Sequence, residues 1–206
     1  GRIGVPTRRL SVLKLCFNPG QLRPLGLARE PELLVLGRHD PHKNLRRLLH
    51  AVAALRDREH RIHFVGPHDR RYTPKLQAMA QELGIASRCR WTAWVSNDER
   101  LELLNRARAL VIPSLWEGFG LPALEAMACG TPVLASTAGA LPEVVGEVAV
   151  PLDPMQPGQM AAAIDAFLQS SAQQQQLAQQ GPQLAAGFSW AQTGAELKQR
   201  LQELCP

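Results

Sequence analysis

The sequence predicts an α/β fold, a parallel six-stranded sheet with helices on both faces, and three observations carry that reading. Short apolar runs alternate with segments of helical periodicity from Glu32 onward, the pattern of successive strand-helix-strand units. The helical segments open on capping residues or proline and several close on glycine, so their ends fall in the gaps between apolar runs. A length of 206 residues with 45% apolar content fits one large domain or two small ones and buries a sizeable core.

Residues 1–30 contain Pro6, Pro19, Gly20, Pro24 and Gly26 around a single strand-like run, SVLKLCF. They read as a lead-in segment to one domain over 31–206. Six strand runs follow: LLVLG (33–37), RIHFVG (61–66), CRWTA (89–93), ALVIP (109–113), PVLAS (132–136) and EVAVPL (147–152). Asn44 opens LRRLLHAVAALRD, where Leu45, Leu48, Leu49, Val52 and Leu55 form one apolar stripe. Thr73 and Pro74 offer an N-cap and a first-turn proline to KLQAMAQEL, which Gly84 stops. Ser96 and Glu99 make a capping box before LELLNRA. Past Pro154 an Ala/Gln-rich stretch keeps Met160, Ile164, Phe167 and Leu168 on a helical face, so two helices are expected there. A last helix starts at Ser189, with Phe188 placed for a hydrophobic staple.

Composition excludes several classes of function. No apolar run approaches the roughly 18 residues that cross a bilayer, and GRIGVPTRRL lacks the apolar stretch of a signal peptide, so the expected compartment is cytoplasmic. Cys16, Cys89, Cys129 and Cys205 have unrelated spacings, which indicates reduced thiols rather than a zinc site or disulfide framework. Neither H-x-x-x-H nor H-E-x-x-H spacing occurs, and the six histidines are assigned to surface or loop roles. Net charge is +5, and 21 of the 23 Lys and Arg precede Val111. A basic half suits a phosphorylated small molecule, a nucleic acid or an anionic membrane. Only 5% of the chain is aromatic, which argues against the stacking surfaces of RNA-binding modules.

In an open parallel sheet the ligand crevice lies beyond the carboxyl ends of the strands. Three loops at that edge carry unusual residues. In RHDPHKN, Arg38 and Lys43 bracket a turn into a helix, so two cations and a helix N-terminus converge on one anion. The loop is not a Walker A motif, and no G-x-G-x-x-G follows any strand. In PSLWEGFGLPALEAMACGTPV, Gly118 and Gly120 flank Phe119 and let the backbone come close to a ligand. Leu121 and Pro122 then start a helix whose free N–H groups favour an anion or a polyol oxygen. Glu117 precedes that loop and Glu125 lies about one turn inside the helix. Paired carboxylates also serve glycosidases as acid and base. The third loop, WVSND, places Val95 to line a base pocket. No D-x-D occurs, so a metal-chelating diphosphate site is not indicated.

Taken in order, GRHDPHKN, TAWVSNDERLELL, PSLWEGFGLPALEAMACGTPVLAS and GALPEVVG resemble the carboxyl-terminal, donor-binding domain of the family 4 retaining glycosyltransferases. The resemblance runs from about Leu33 to the final helix, and its E-G-F-G-L-P-x-L-E-A-M-A-x-G-x-P-V segment is the most specific part. It implies a Rossmann-like half of a GT-B fold. It also implies transfer of a hexose, mannose being a common case, from a GDP- or UDP-linked donor with retention and without a metal or other cofactor. By the resemblance Arg38 and Lys43 grip the diphosphate, and Glu117 hydrogen-bonds the donor sugar without being assigned as a nucleophile. Backbone N–H groups around Gly118, Phe119, Gly120 and Leu121 hold sugar and diphosphate. Glu125 accepts from the ribose hydroxyls, and Val95 meets the base through its backbone.

Family members carry an amino-terminal acceptor domain, and nothing in this sequence matches it. The implied partners are therefore the nucleotide sugar, a glycan or lipid-linked acceptor bound through that other domain, and a peripheral membrane contact at the inner face; no nucleic acid is expected. Weak donor binding and no transfer are expected of the chain alone. Two other readings stay open on sequence: a non-catalytic nucleotide-binding module and a basic RNA-binding domain.

Overall fold

Strands β1 (Glu32–Leu36), β2 (Arg61–Val65), β3 (Cys89–Thr92), β4 (Ala109–Ile112), β5 (Val133–Ser136) and β6 (Val150–Leu152) form one parallel sheet in the computed structural model, which describes residues 10, 12–16 and 21–204. Their order is β3-β2-β1-β4-β5-β6. The chain builds outward from β1 to β3, then returns to lay β4 against the other side of β1. That reversal opens the crevice of a doubly wound, Rossmann-like sheet.

Among the described residues, eight α-helices connect and cover the strands: α1 (Leu45–Ala54), α2 (Thr73–Glu82), α3 (Asn97–Arg106), α4 (Leu121–Ala128), α5 (Leu141–Val145), α6 (Pro157–Gln169), α7 (Ser171–Ala186) and α8 (Trp190–Leu204). Successive strand residues point to opposite faces, so Leu33 and Val35 enter one core while Leu34 enters the other. The first core joins Leu48, Leu49 and Val52 of α1 to Leu76 of α2 and to Met160, Ile164 and Phe167 of α6. The second holds Leu104 of α3, Leu124 and Met127 of α4, and Val144 of α5.

Five strands lie within one residue of their expected ends. EVAVPL is shorter as β6, because the Val148 N–H donates to Val145 O and keeps Glu147 to Ala149 in the turn that leaves α5. The helix α1 stops before ALRD is complete: the Arg56 N–H donates to Asp165 Oδ2 on α6 at 3.1 Å, a competing acceptor that sequence periodicity does not reveal. Thr73 is not an N-cap. It is the first residue of α2, and its hydroxyl accepts from the Asp69 N–H at 2.9 Å instead. The strand expected at SVLKLCF is absent over Val12–Cys16, and Ser11 and Phe17 lie outside the described residues. The capping box at Ser96 and Glu99, the paired helices α6 and α7, and the turns at Gly84 and Gly130 are as read.

Residues 21–30 form no regular element, yet Arg29 fastens them to the domain. Its guanidinium donates to Leu104 O at 2.9 Å, Thr131 Oγ1 at 2.9 Å and Gly130 O at 2.7 Å.

Asn44 fixes the crevice from below. It is the one non-glycine with positive φ among the described residues, at 58°, and it is 4% exposed. Its Nδ2 donates to Pro113 O at 2.9 Å and Pro154 O at 2.7 Å, joining the loop after β1 to the ends of β4 and β6. Asn44→Ala leaves two buried carbonyls unpaired and puts a Cβ residue without a local hydrogen-bonding side chain in the left-handed region. The expected loss is about 2–4 kcal/mol, read as a shift in the urea midpoint at unchanged slope. A loss below about 1 kcal/mol would mean that neither bond supports the fold.

Candidate functional site

The first strand ends on Gly37, whose N–H donates to Val65 O at 2.9 Å, and a single 3-10 turn at Pro41–Lys43 carries the chain into α1. Gly37 has φ 131°, and a Cβ placed there would lie 3.3 Å from Lys43 Cε. The glycine thus leaves room for Lys43 to fold back over the strand end. Arg38 stays in solvent, 63% exposed, with its Nε 3.7 Å from Asp40. Lys43 is 19% exposed and its Nζ donates to Glu117 Oε1 at 2.6 Å.

Glu117 is the hub of the second loop. Ser114 Oγ donates to the same Oε1 at 2.6 Å, and the Glu117 carbonyl accepts from the Ala140 N–H at 3.1 Å. Gly139 is needed beneath it, because a Cβ there would lie 2.7 Å from the Glu117 nitrogen and its φ is 68°. The Leu115 N–H donates to His42 O at 2.7 Å, so the loops after β1, β4 and β5 form one hydrogen-bonded rim. Phe119 packs edge-on to Phe188 with ring centroids 6.0 Å apart, which anchors the glycine-flanked turn. Gly120 caps α4 at φ 97°. Among the described residues, none accepts from the N–H groups of Gly118, Phe119, Gly120 or Leu121. These donors, with the positive end of α4, are available to an anion or hydroxyl.

Glu125 is not a surface charge. Its side chain is 14% exposed, and Arg100 Nη1 of α3 donates to both of its oxygens at 3.0 Å. Burial pushes the Glu125 pKa up, and the Arg100 cation opposes that shift. Glu125 and Arg100 line a cleft of about 270 Å³ together with Gly37, Gly66, Trp94 and Val95. Trp94 stands 75% exposed at its mouth, a ring available to stack on a flat ligand. The floor is a glycine contact: a Cβ on Gly66 would fall 2.1 Å from Gly37 O.

The structure therefore brings the sequence-read residues to one sheet edge in two groups, Arg38, Lys43 and Glu117 at the end of β1 and β4, and Val95 and Glu125 beside α3. The turn from Gly118 to Leu121 joins them. Sequence reading missed Ser114, which acts on Glu117 three positions on, and Arg100, Gly66 and Gly139, each of which acts on a residue far away in the chain. One histidine, His63 in β2, departs from the surface or loop role expected of it, and His39, in a loop as expected, is nevertheless buried. His63 is 1% exposed and sits between Glu32 and Thr92 at 3.2 and 2.8 Å, while His39 is 2% exposed.

Residues 22–184 match the family described as glycosyl transferases group 1. Over 204 residues the chain is 38% identical to an MMP alpha-(1->4)-mannosyltransferase of Mycolicibacterium hassiacum, covering 93% of this chain and 48% of that protein. A sucrose-phosphate synthase from Thermosynechococcus elongatus has the same architecture at TM-score 0.82 and 26% identity, over 92% of this chain and 51% of its own. The Anabaena protein HepE, solved with UDP and glucose, shares the fold at TM-score 0.88 and 20% identity, over 98% of this chain and 59% of its own. The chain spans about half the length of the curated relatives it matches. On the family match and this doubly wound sheet, the chain belongs to the glycosyl transferases group 1 family, with a GT-B fold.

Proposed function

We propose that this domain binds a nucleoside diphosphate hexose and, joined to a domain that carries the acceptor, transfers the hexose with retention to a glycan or lipid-linked hydroxyl. The observation that supports it is the convergence of Arg38, Lys43 and the Gly118 to Leu121 amides beside a cleft closed by Glu125. In this reading the diphosphate lies between the two cations and the start of α4, the ribose diol meets Glu125, and the base lies against Val95 and Trp94. The donor sugar meets Glu117. As the diphosphate departs, the cations and the helix end stabilise its charge without a metal ion. The likeness to a mannosyltransferase and to a fold solved with UDP and glucose supports a nucleotide-linked hexose; mannose is the sugar we favour, with GDP or UDP as carrier. No helix among the described residues is long and apolar enough to cross a membrane; the membrane contact we propose is a peripheral one at the inner face.

Calorimetry with GDP and UDP, repeated in EDTA, tests the donor assignment. Binding of at least one of them, unaffected by the chelator, is expected; no heat with either at about 1 mM would sink it. Glu117→Ala is expected to erase the preference for the nucleotide sugar over the bare nucleotide while leaving bare-nucleotide affinity largely intact. If it abolished nucleotide binding altogether, Glu117 would belong to the diphosphate site instead.

A further inference from the structure

A second cavity, of about 580 Å³, lies behind the loop that carries Arg38 and Lys43, between the first turns of α1 and α2. The 270 Å³ cleft sits on the side of the sheet covered by α3 and α4, whereas this one sits on the side covered by α1 and α2. The turn from His39 to Asn44 is its wall. Leu45 and Leu76, both buried, and the half-buried Met79 make an apolar floor, and the Tyr72 ring stands at one side. Three cations, Arg46, Arg47 and Lys75, surround it against one acid, Asp40. None of the three has a carboxylate partner among the described residues, and Asp40 leans toward Arg38.

One polar group in the lining also lacks its bond. His39 Nδ1 meets Thr73 Oγ1 at 2.8 Å, but its buried Nε2 has no partner. Either tautomer leaves that nitrogen unmatched, as a donor or as an acceptor. Burial, reinforced by the neighbouring His68, pushes the His39 pKa down to about 4, so the ring is neutral near pH 7.

We propose that this cavity is a binding site for a small organic anion, an aromatic or short aliphatic body bearing one phosphate or carboxylate. Its volume falls in the range of small-molecule sites, and apolar walls with a few convergent polar groups are how such sites are built. The body lies on Leu76 and Met79 beside Tyr72, and the anion meets Arg46, Arg47 and Lys75. Because the same turn carries Arg38 and Lys43 on its other side, occupancy here changes nucleotide affinity, and by linkage nucleotide changes affinity here by the same factor. That coupling rests on the donor reading; the binding itself does not.

The probe is 1-naphthyl phosphate, titrated into the chain and followed by backbone amide NMR, with neutral 1-naphthol as the control. Saturable shifts are expected at Arg47, Tyr72, Lys75 and Met79. The exposed double variant Arg46→Glu with Lys75→Glu is expected to weaken binding by about tenfold or more, as loss of charge-assisted contacts does. Met79→Trp, which fills the floor, is expected to block it. Shifts confined to Gly37, Arg38 and Ser114, or no saturation by about 10 mM, would overturn the proposal. So would equal binding of 1-naphthol, or an unchanged affinity in the charge-reversed chain. Saturation at this site in a chain that binds neither GDP nor UDP would leave the cavity proposal standing and remove the donor reading alone.

Discussion

Gly66→Ala is expected to abolish nucleotide binding and to destabilise the domain by about 3–5 kcal/mol, the sum of overpacking and backbone strain. The added Cβ would lie 2.1 Å from Gly37 O and 2.5 Å from its carbonyl carbon. Both are backbone atoms, and Gly37 is itself hydrogen-bonded to Val65 O, so neither can swing aside as a long side chain would. Position 66 also has φ 154°, outside the range of ordinary residues. Relief requires moving the end of β1 away from β2, which carries Arg38 off the crevice. Gly84→Ala is the control: φ is 69° there, but a Cβ meets nothing within 4 Å. It is expected to cost only the left-handed penalty, about 1 kcal/mol, with binding intact. Urea denaturation and calorimetry on the two variants separate strain from collision. Wild-type affinity in Gly66→Ala would show that the glycine contact does not shape the cleft.

Arg38→Ala and Lys43→Ala are each expected to weaken nucleoside diphosphate binding by roughly 1.5–3 kcal/mol, about ten- to a hundredfold. The two losses differ in kind. Arg38 is largely in solvent and 3.7 Å from Asp40, so its removal subtracts a cation and disturbs little else. Lys43 is enclosed and bonded to Glu117, so its removal also leaves that carboxylate with Ser114 alone facing the incoming phosphates. Lys43→Ala is therefore expected to be the more damaging, and Lys43→Met, which keeps the stem, nearly as damaging. Titration of UDP and GDP by calorimetry measures both. Unchanged affinity in Arg38→Ala and Lys43→Ala together would remove the diphosphate assignment.

The strands were legible because their residues form short apolar runs bounded by turns, and neighbours in sequence decide that. Lys43, Glu117 and Glu125 were legible as candidates for a similar reason: glycine, proline and a helix start mark their loops locally. What these side chains touch was not legible. Arg100 and Glu125 are 25 positions apart, and only the crossing of α3 over α4 makes them a pair. Gly66 and Gly139 look like ordinary turn glycines until the backbone of Gly37 or Glu117 is seen against them. The failed cap at Thr73 has the same origin, since its hydroxyl meets Asp69 across a turn and His39 of the loop after β1 rather than its own helix. The early end of α1 is another case, decided by a carboxylate on α6. Apolar periodicity reports which face is covered, and it does not report which acceptor reaches a given amide first.

Asn44 gives both protons of its side-chain amide to carbonyls at the ends of two different strands, Pro113 beyond β4 and Pro154 beyond β6. Neither proton can exchange with deuterium while both loops stay closed on it. Exchange of either proton thus requires the loop that holds it to open, on the β4 to β6 side of the sheet, and the lifetime of this single NH2 group is a clock for that motion. A ligand gripped by Arg38 and Lys43 would slow the clock from a distance, without contacting Asn44.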